Sequence, residues 1–171
     1  MNTNQIIPFN QLTNCNTICG YKWSWSTIRL QHKTTNSCHR TDHDLITPET
    51  FESFHNTPIK LKTRNTMLAG QWPKHGCEYC KKIEDAGGIS DRIDSLTHVV
   101  DNIVPPELYG NSRAINVSPT MIEVYFSNLC NMSCIYCNSG YSSVWEQEDR
   151  IHGIEKIHNL TPVDSDDYKK W

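Results

Sequence analysis

Between Lys22 and His39 the chain reads KWSWSTIRLQHKTTNSCH, aromatic and β-branched residues alternating with polar ones around a polar centre, and this period of two predicts a short β-hairpin. Cys38 falls at its far end. The pattern then turns helical. In TPETFESFHN, Thr47 stands as an N-cap, Pro48 takes the first helical position and Glu49 lies near the positive end of the helix dipole. A second helix is predicted within IKLKTRNTMLAG. A third covers CEYCKKIEDAGG, begun through Gly76 and stopped by Gly87 and Gly88, and Ser90 caps a fourth, DRIDSLTHVVDN. MIEVYF is apolar on both faces apart from Glu123, the pattern of a strand covered on both sides in a parallel α/β sheet. Val144, Ile151, Ile154 and Ile157 then recur at helical spacing, predicting a helix, or a helix broken at Gly153. Pro105, Pro106 and Gly110 break regular structure and set a domain boundary, with units at 1–112 and 113–171.

Composition narrows the class. A chain of 171 residues holds one ordinary domain or two small ones. With 37% hydrophobic residues, five Trp and a mean hydropathy of -0.58, it reads as a polar globular protein. No apolar run approaches the roughly 18 residues of a membrane span, so no membrane partner is expected. The start, MNTNQIIPFNQLTN, has no basic segment followed by an apolar one, so no secretory signal is read and a cytoplasmic location is expected. A formal charge of -3 leaves no electrostatic footprint for nucleic acid, and KLKTR and KK read as solvated surface.

The eight cysteines change that picture, because a reducing compartment disfavours disulfides and makes clustered Cys metal ligands or catalytic groups. Cys15, Cys19, Cys38, Cys77 and Cys80 lie in the first half, and Cys130, Cys134 and Cys137 follow after a gap. The second set, CNMSCIYC, is C-x3-C-x2-C with Tyr136 just before the third thiol. Structural zinc uses four ligands, usually as two separated pairs, so a lone triad is a poor zinc pattern. A [4Fe-4S] cluster on three thiolates keeps one iron open for another ligand.

On a loop directly after a predicted strand, CNMSCIYC resembles the signature of the radical S-adenosylmethionine (SAM) enzymes. The resemblance implies that Cys130, Cys134 and Cys137 each ligate one iron of a [4Fe-4S] cluster, that SAM occupies the open iron and that Tyr136 lies near the adenine. It implies reductive cleavage of SAM to a 5'-deoxyadenosyl radical, which abstracts hydrogen from an unknown substrate, a peptide or small molecule, with an external electron donor as partner. It also implies a β/α barrel with the loop at the C-terminal end of its first strand.

In the first half, Cys77 and Cys80 form a C-x2-C pair one helical turn apart, with a helix start expected to lower their thiolate pKa values. Cys19 and Cys38 complete a four-cysteine set suited to an auxiliary [4Fe-4S] cluster, with zinc as the alternative. Cys15, His39 and His75 are the candidate substitute ligands, the alternative being a buried or free thiol at Cys15 and surface or hydrogen-bonding imidazoles at His39 and His75. This half resembles twitch-domain radical SAM proteins of a kind predicted in phages, which hold an auxiliary cluster beside the SAM cluster, although there the auxiliary module follows the barrel.

The fold class expected is thus an α+β cysteine-rich module followed by the first strand and helix of an incomplete α/β radical SAM domain. After Cys137 nothing matches the Gly-Gly-Glu motif that the family uses to hold the SAM amino group, and the adjacent Gly87 and Gly88 precede the triad. TPVDSDDYKKW opens a helix at Asp164 or Ser165 that stops within two turns, so a truncated or split-gene chain is expected, with a second polypeptide to complete the barrel. The alternative is a non-catalytic metal-binding module. Trp23, Trp25 and Trp72 read as packing around the metal site. Asn131, Asn138 and Ser139 border the triad, either tuning cluster sulfurs or capping the loop, and Glu84, Asp85, Asp91 and Arg92 read as helix-end charges.

Overall fold

The predicted hairpin is present. In a computed structural model, which describes residues 17–99 and 116–154, β1 (Trp25–Arg29) turns through Leu30 and a left-handed Lys33 into β2 (Thr34–Asn36), pairing Thr27 with Asn36 and Arg29 with Thr34. A two-residue strand, β3 (Asp44–Leu45), extends the antiparallel side. On the other side β4 (Met121–Tyr125) joins β1 in parallel, Trp25 opposite Met121 through Arg29 opposite Tyr125. The sheet order is therefore β3-β2-β1-β4 and its pairing is mixed. One sheet thus takes strands from both sides of the segment where a boundary was read, which itself lies outside the described residues, as do Cys15, Ile157 and TPVDSDDYKKW.

Helices follow their local signals closely. A short α1 (Tyr21–Ser24) precedes β1. TPETFESFHN forms a 3-10 helix, Pro48–Ser53, in which the Thr47 amide donates to Thr50 Oγ1 at 2.9 Å. Thr57 Oγ1 caps α2 (Pro58–Leu68). Gly76 opens α3 (Cys77–Asp85) at φ +97°, Gly87 follows it at φ +79°, and Ser90 Oγ accepts the Ile93 amide at the start of α4 (Asp91–Val99). Ser142 caps α5 (Ser143–Ile151), which ends two residues before a left-handed Gly153.

Two apolar clusters flank the sheet. Ile18, Cys19, Trp23, Met67, Cys77 and Val117 form one, with Trp72 packed against it; Ile28, Leu30 and Ile46 form the other. A buried polar network accompanies them, and here the expectation that KLKTR is solvated surface fails. Lys60 is 6% exposed and Arg64 fully buried, because the neighbouring strands supply acceptors. Lys60 Nζ donates to Ser26 Oγ (2.8 Å), Thr35 Oγ1 (2.7 Å) and the Phe54 carbonyl (2.7 Å), while Arg64 reaches the Lys22 carbonyl, Asn56 and the His55 carbonyl. A buried cation persists only when its donors are satisfied in this way.

The strand expected to be covered on both faces is not. Met121, Ile122 and Val124 are 42%, 51% and 39% exposed: in-plane pairing with β1 satisfies one edge of β4 and leaves its faces open. An apolar sequence pattern reports the need for cover over the faces, which pairing with β1 within the sheet does not provide.

Candidate functional site

Two cysteine groups sit on this scaffold. In the first, Cys19 ends the segment before α1, Cys38 follows β2, and Cys77 and Cys80 occupy the first turn of α3, all four free thiols. Cys19, Cys77 and Cys80 are buried and Cys38 is half-buried. The loop bearing Cys38 is pressed onto α3 by glycine: a Cβ on Gly76 would stand 2.0 Å from the Arg40 carbonyl oxygen. Asn36 Nδ2 (2.8 Å) and Thr41 Oγ1 (3.0 Å) donate to the Cys38 carbonyl, Arg40 stacks on Tyr79 at 3.7 Å, and its Nε donates to Asp91 at 2.9 Å. On the opposite side Arg92 forms a bidentate pair with Glu84 and donates to the Ile18 carbonyl at 2.9 Å, fixing the residue before Cys19 to α3 and α4. Glu84 and Arg92 thus stand at helix ends, as expected, and are buried against each other there. Asp85 and Asp91 do make exposed ion pairs, with Lys81 and Arg40.

Cys77 lies near enough to Cys19, Cys38 and Cys80 to feel their charge. Burial pushes the Cys77 thiol up to about 11; Lys22 opposes the shift, and Cys19, Cys38 and Cys80 add to it. Burial likewise raises Cys19, against Lys22 and with Cys38. The expected lowering at a helix start is thus overridden at Cys77, because desolvation of a thiolate outweighs the amide dipoles. As the side chains stand, no three His, Cys, Asp or Glu among the described residues are placed to hold a single metal ion. The donor set nevertheless suits a metal: four thiols without disulfides, with Lys22, 5% exposed, as the countercharge that a thiolate-rich site needs. His39 and His75 are engaged elsewhere, with Glu123 (3.5 Å) and Asp42 (3.6 Å). Trp23 and Trp72 belong to the core around Cys19 and Cys77, as read, while Trp25 packs edge-on against His39.

The second group, Cys130, Cys134 and Cys137, occupies the loop from β4 to α5, and α5 holds that loop. Ser143 Oγ accepts the Cys130 amide (3.1 Å) and donates to its carbonyl (2.9 Å), Ser142 Oγ donates to the Met132 carbonyl (2.8 Å), and the Trp145 indole donates to the Cys134 carbonyl (3.0 Å). Asn128 Nδ2 donates to Glu146 (2.8 Å) and to the Ser139 carbonyl (3.2 Å). The peptide oxygens of Cys130, Met132, Cys134 and Ser139 are thereby occupied. Of the loop's half-buried thiols, Cys130 contacts the Met132 carbonyl at 3.8 Å and Cys137 that of Asn138 at 3.7 Å. Tyr136 is 88% exposed, and its hydrogen bond to Cys134 raises its phenol. Ile135, its neighbour in sequence, and Leu129 are exposed as well. Three thiols held by a fixed backbone suit a cluster, which spreads its ligands over separate irons.

Sequence reasoning picked Asn131, Asn138 and Ser139 beside the triad, yet Asn138 Oδ1 simply accepts the Gly140 amide at 2.9 Å, the capping role. The residues that position the loop are Asn128, Ser142, Ser143 and Trp145. A Ser-x-x-Glu capping pattern from Ser143 to Glu146 was the available signal, one residue from the cap observed. Among the described residues no helix is long and apolar enough to cross a membrane. No protein-family model, curated protein or solved structure matches the chain.

Proposed function

We infer that this chain is a radical SAM iron-sulfur protein, with a [4Fe-4S] cluster on Cys130, Cys134 and Cys137. The observation that carries the reading is the C-x3-C-x2-C loop at the C-terminal end of a strand in parallel pairing, its backbone bound back onto the following helix. A cluster of this kind, when bound, supplies an electron from an external donor to SAM and so starts hydrogen abstraction from a substrate. The chain's own residues have simpler tasks. Three thiolates hold the cluster, Ser142, Ser143 and Trp145 fix the loop, and Tyr136 stands at the outer side as a surface for a planar ring. Cys19, Cys38, Cys77 and Cys80 would hold an auxiliary iron-sulfur cluster, or zinc, beside Lys22.

The exposed apolar faces of β4 and of Leu129 and Ile135 favour a second reading of the same chain, as a metal-binding module whose cysteine loop is covered by a second polypeptide.

Iron and acid-labile sulfide per chain after anaerobic reconstitution test the assignment, comparing the parent with a variant carrying Cys130→Ala, Cys134→Ala and Cys137→Ala. Two cubane clusters give about eight irons, falling to about four in the variant. SAM should perturb the electron paramagnetic resonance of the reduced parent and leave the variant unchanged. A parent without iron, or a variant that loses none, overturns the cluster assignment.

A further inference from the structure

Two lysines lie inside this protein, and they are treated differently. Lys60, 6% exposed, makes three hydrogen bonds of 2.8 Å or less. Lys22, 5% exposed, makes one, to Thr41 Oγ1 at 3.3 Å, and among the described residues no carboxylate pairs with it. The backbone holds it there all the same: the Lys22 amide donates to the Cys19 carbonyl at 3.1 Å, and its carbonyl accepts Arg64 Nε at 2.6 Å. Thr41 Oγ1, the partner at the other end, donates in turn to the Cys38 carbonyl at 3.0 Å. Sulfur is what the ammonium faces. Of the charges acting on Cys19 and on Cys77, that of Lys22 is the strongest, whereas on Asp44 it is weaker than that of Lys60. A buried charge is retained at a cost unless an opposite charge meets it. Protonated thiols are neutral and cannot do so; thiolates can, and thiols become thiolates on taking a metal. Four thiolates bring more negative charge than a zinc ion or a [4Fe-4S] core brings positive, and one ammonium offsets part of that excess.

We propose that Lys22 controls metal loading at Cys19, Cys38, Cys77 and Cys80: its ammonium tightens the hold of these thiolates on their metal and, where the metal is an iron-sulfur cluster, raises the reduction potential. The proposal rests on the metal-site reading of those four cysteines and adds the side chain that sets the charge of the site. It gives one substitution two effects of opposite sign. In the metal-free chain Lys22 is a poorly matched buried charge that weighs against folding, and in the loaded chain it supports the ligands.

The test uses the full chain carrying Cys130→Ala, Cys134→Ala and Cys137→Ala, so that bound metal reports on the first thiol set, loaded anaerobically with iron and sulfide and, separately, with Zn²⁺. Adding Lys22→Met should speed the loss of metal to excess EDTA at least tenfold. In the iron form it should lower the midpoint potential, followed by electron paramagnetic resonance, by about 59 mV or more, a tenfold change in a one-electron equilibrium. In the metal-free chain the same substitution should leave the melting temperature unchanged or higher. Lys22→Arg keeps the charge and should lie nearer the parent than Lys22→Met does in both metal readouts. Metal held and reduced alike with and without Lys22 overturns the proposal, and so does a lower metal-free melting temperature for Lys22→Met, the mark of a structural role; either result leaves the site assignment standing. A chain that takes up neither iron nor Zn²⁺ with Lys22 in place overturns both.

Discussion

Acid should weaken this fold through one buried histidine. His55 is 2% exposed; its Nδ1 accepts from Ser26 Oγ at 2.6 Å, its Nε2 donates to the Trp23 carbonyl at 2.9 Å, and the Arg64 guanidinium lies 2.8 Å from that same nitrogen. Burial, then the Arg64 charge, hold its pKa down at about 3, against an ordinary 6.5. Between these values the unfolded chain binds the proton and the folded one does not, so stability rises with pH and is lost as pH falls below 6.5. At about 1.4 kcal/mol per unit, the loss is about 2 kcal/mol between pH 8 and pH 5, since only the unfolded state titrates there. Urea unfolding followed by tryptophan fluorescence at pH 5, 6, 7 and 8 measures it, with His55→Gln alongside. Asp44, whose carboxyl burial raises above its usual range, acts in the opposite sense on acidification, but both proteins carry it, so the difference between them isolates His55. Parallel pH dependences in the two proteins would refute the reasoning.

Gly76→Ala should destabilise by more than about 3 kcal/mol, because a Cβ there meets the Arg40 carbonyl oxygen at 2.0 Å in a left-handed backbone. Gly70→Ala, at φ +73° with nothing within 4 Å, should cost only about 1 kcal/mol of backbone strain, and equal losses in urea unfolding would contradict the close-approach argument. Ser142→Ala removes both the α5 cap and the hydrogen bond to the Met132 carbonyl, so it should cost about 2 kcal/mol and speed the release of iron from a reconstituted chain, followed at the iron absorption band.

Elements with strong local signals were legible. The period-two alternation around LQHK gave the hairpin, and Gly76, Gly87 and Ser90 marked where α3 begins and ends and where α4 is capped, because these residues act through the backbone of their own turn. What stayed hidden depends on partners distant in sequence. Lys60 and Arg64 read as surface because nothing local announces that Ser26, Thr35 and the Phe54 carbonyl will receive a buried ammonium. β3 has two residues and no pattern of its own, and its existence rests on pairing with Thr34 and Thr35. The cysteine spacings drew attention to two sets of thiols, yet the elements that position them, the Gly76 close approach and the serines opening α5, act through geometry that spacing does not carry.

The parallel pairing of β1 with β4 orders events as the chain folds. Thr27 and Glu123, joined at 3.0 Å, lie 96 positions apart, and closing a loop of that length costs about 4 kcal/mol of chain entropy before the ladder offsets it. The hairpin and the helices up to α4 rest on contacts of shorter range, which close at a lower cost in chain entropy and so form first. Cys130, Cys134 and Cys137 therefore arrive last, on an edge already built. The nascent protein passes through a stage in which its first thiol group is sheltered while the second still meets every oxidant and loose metal in solution.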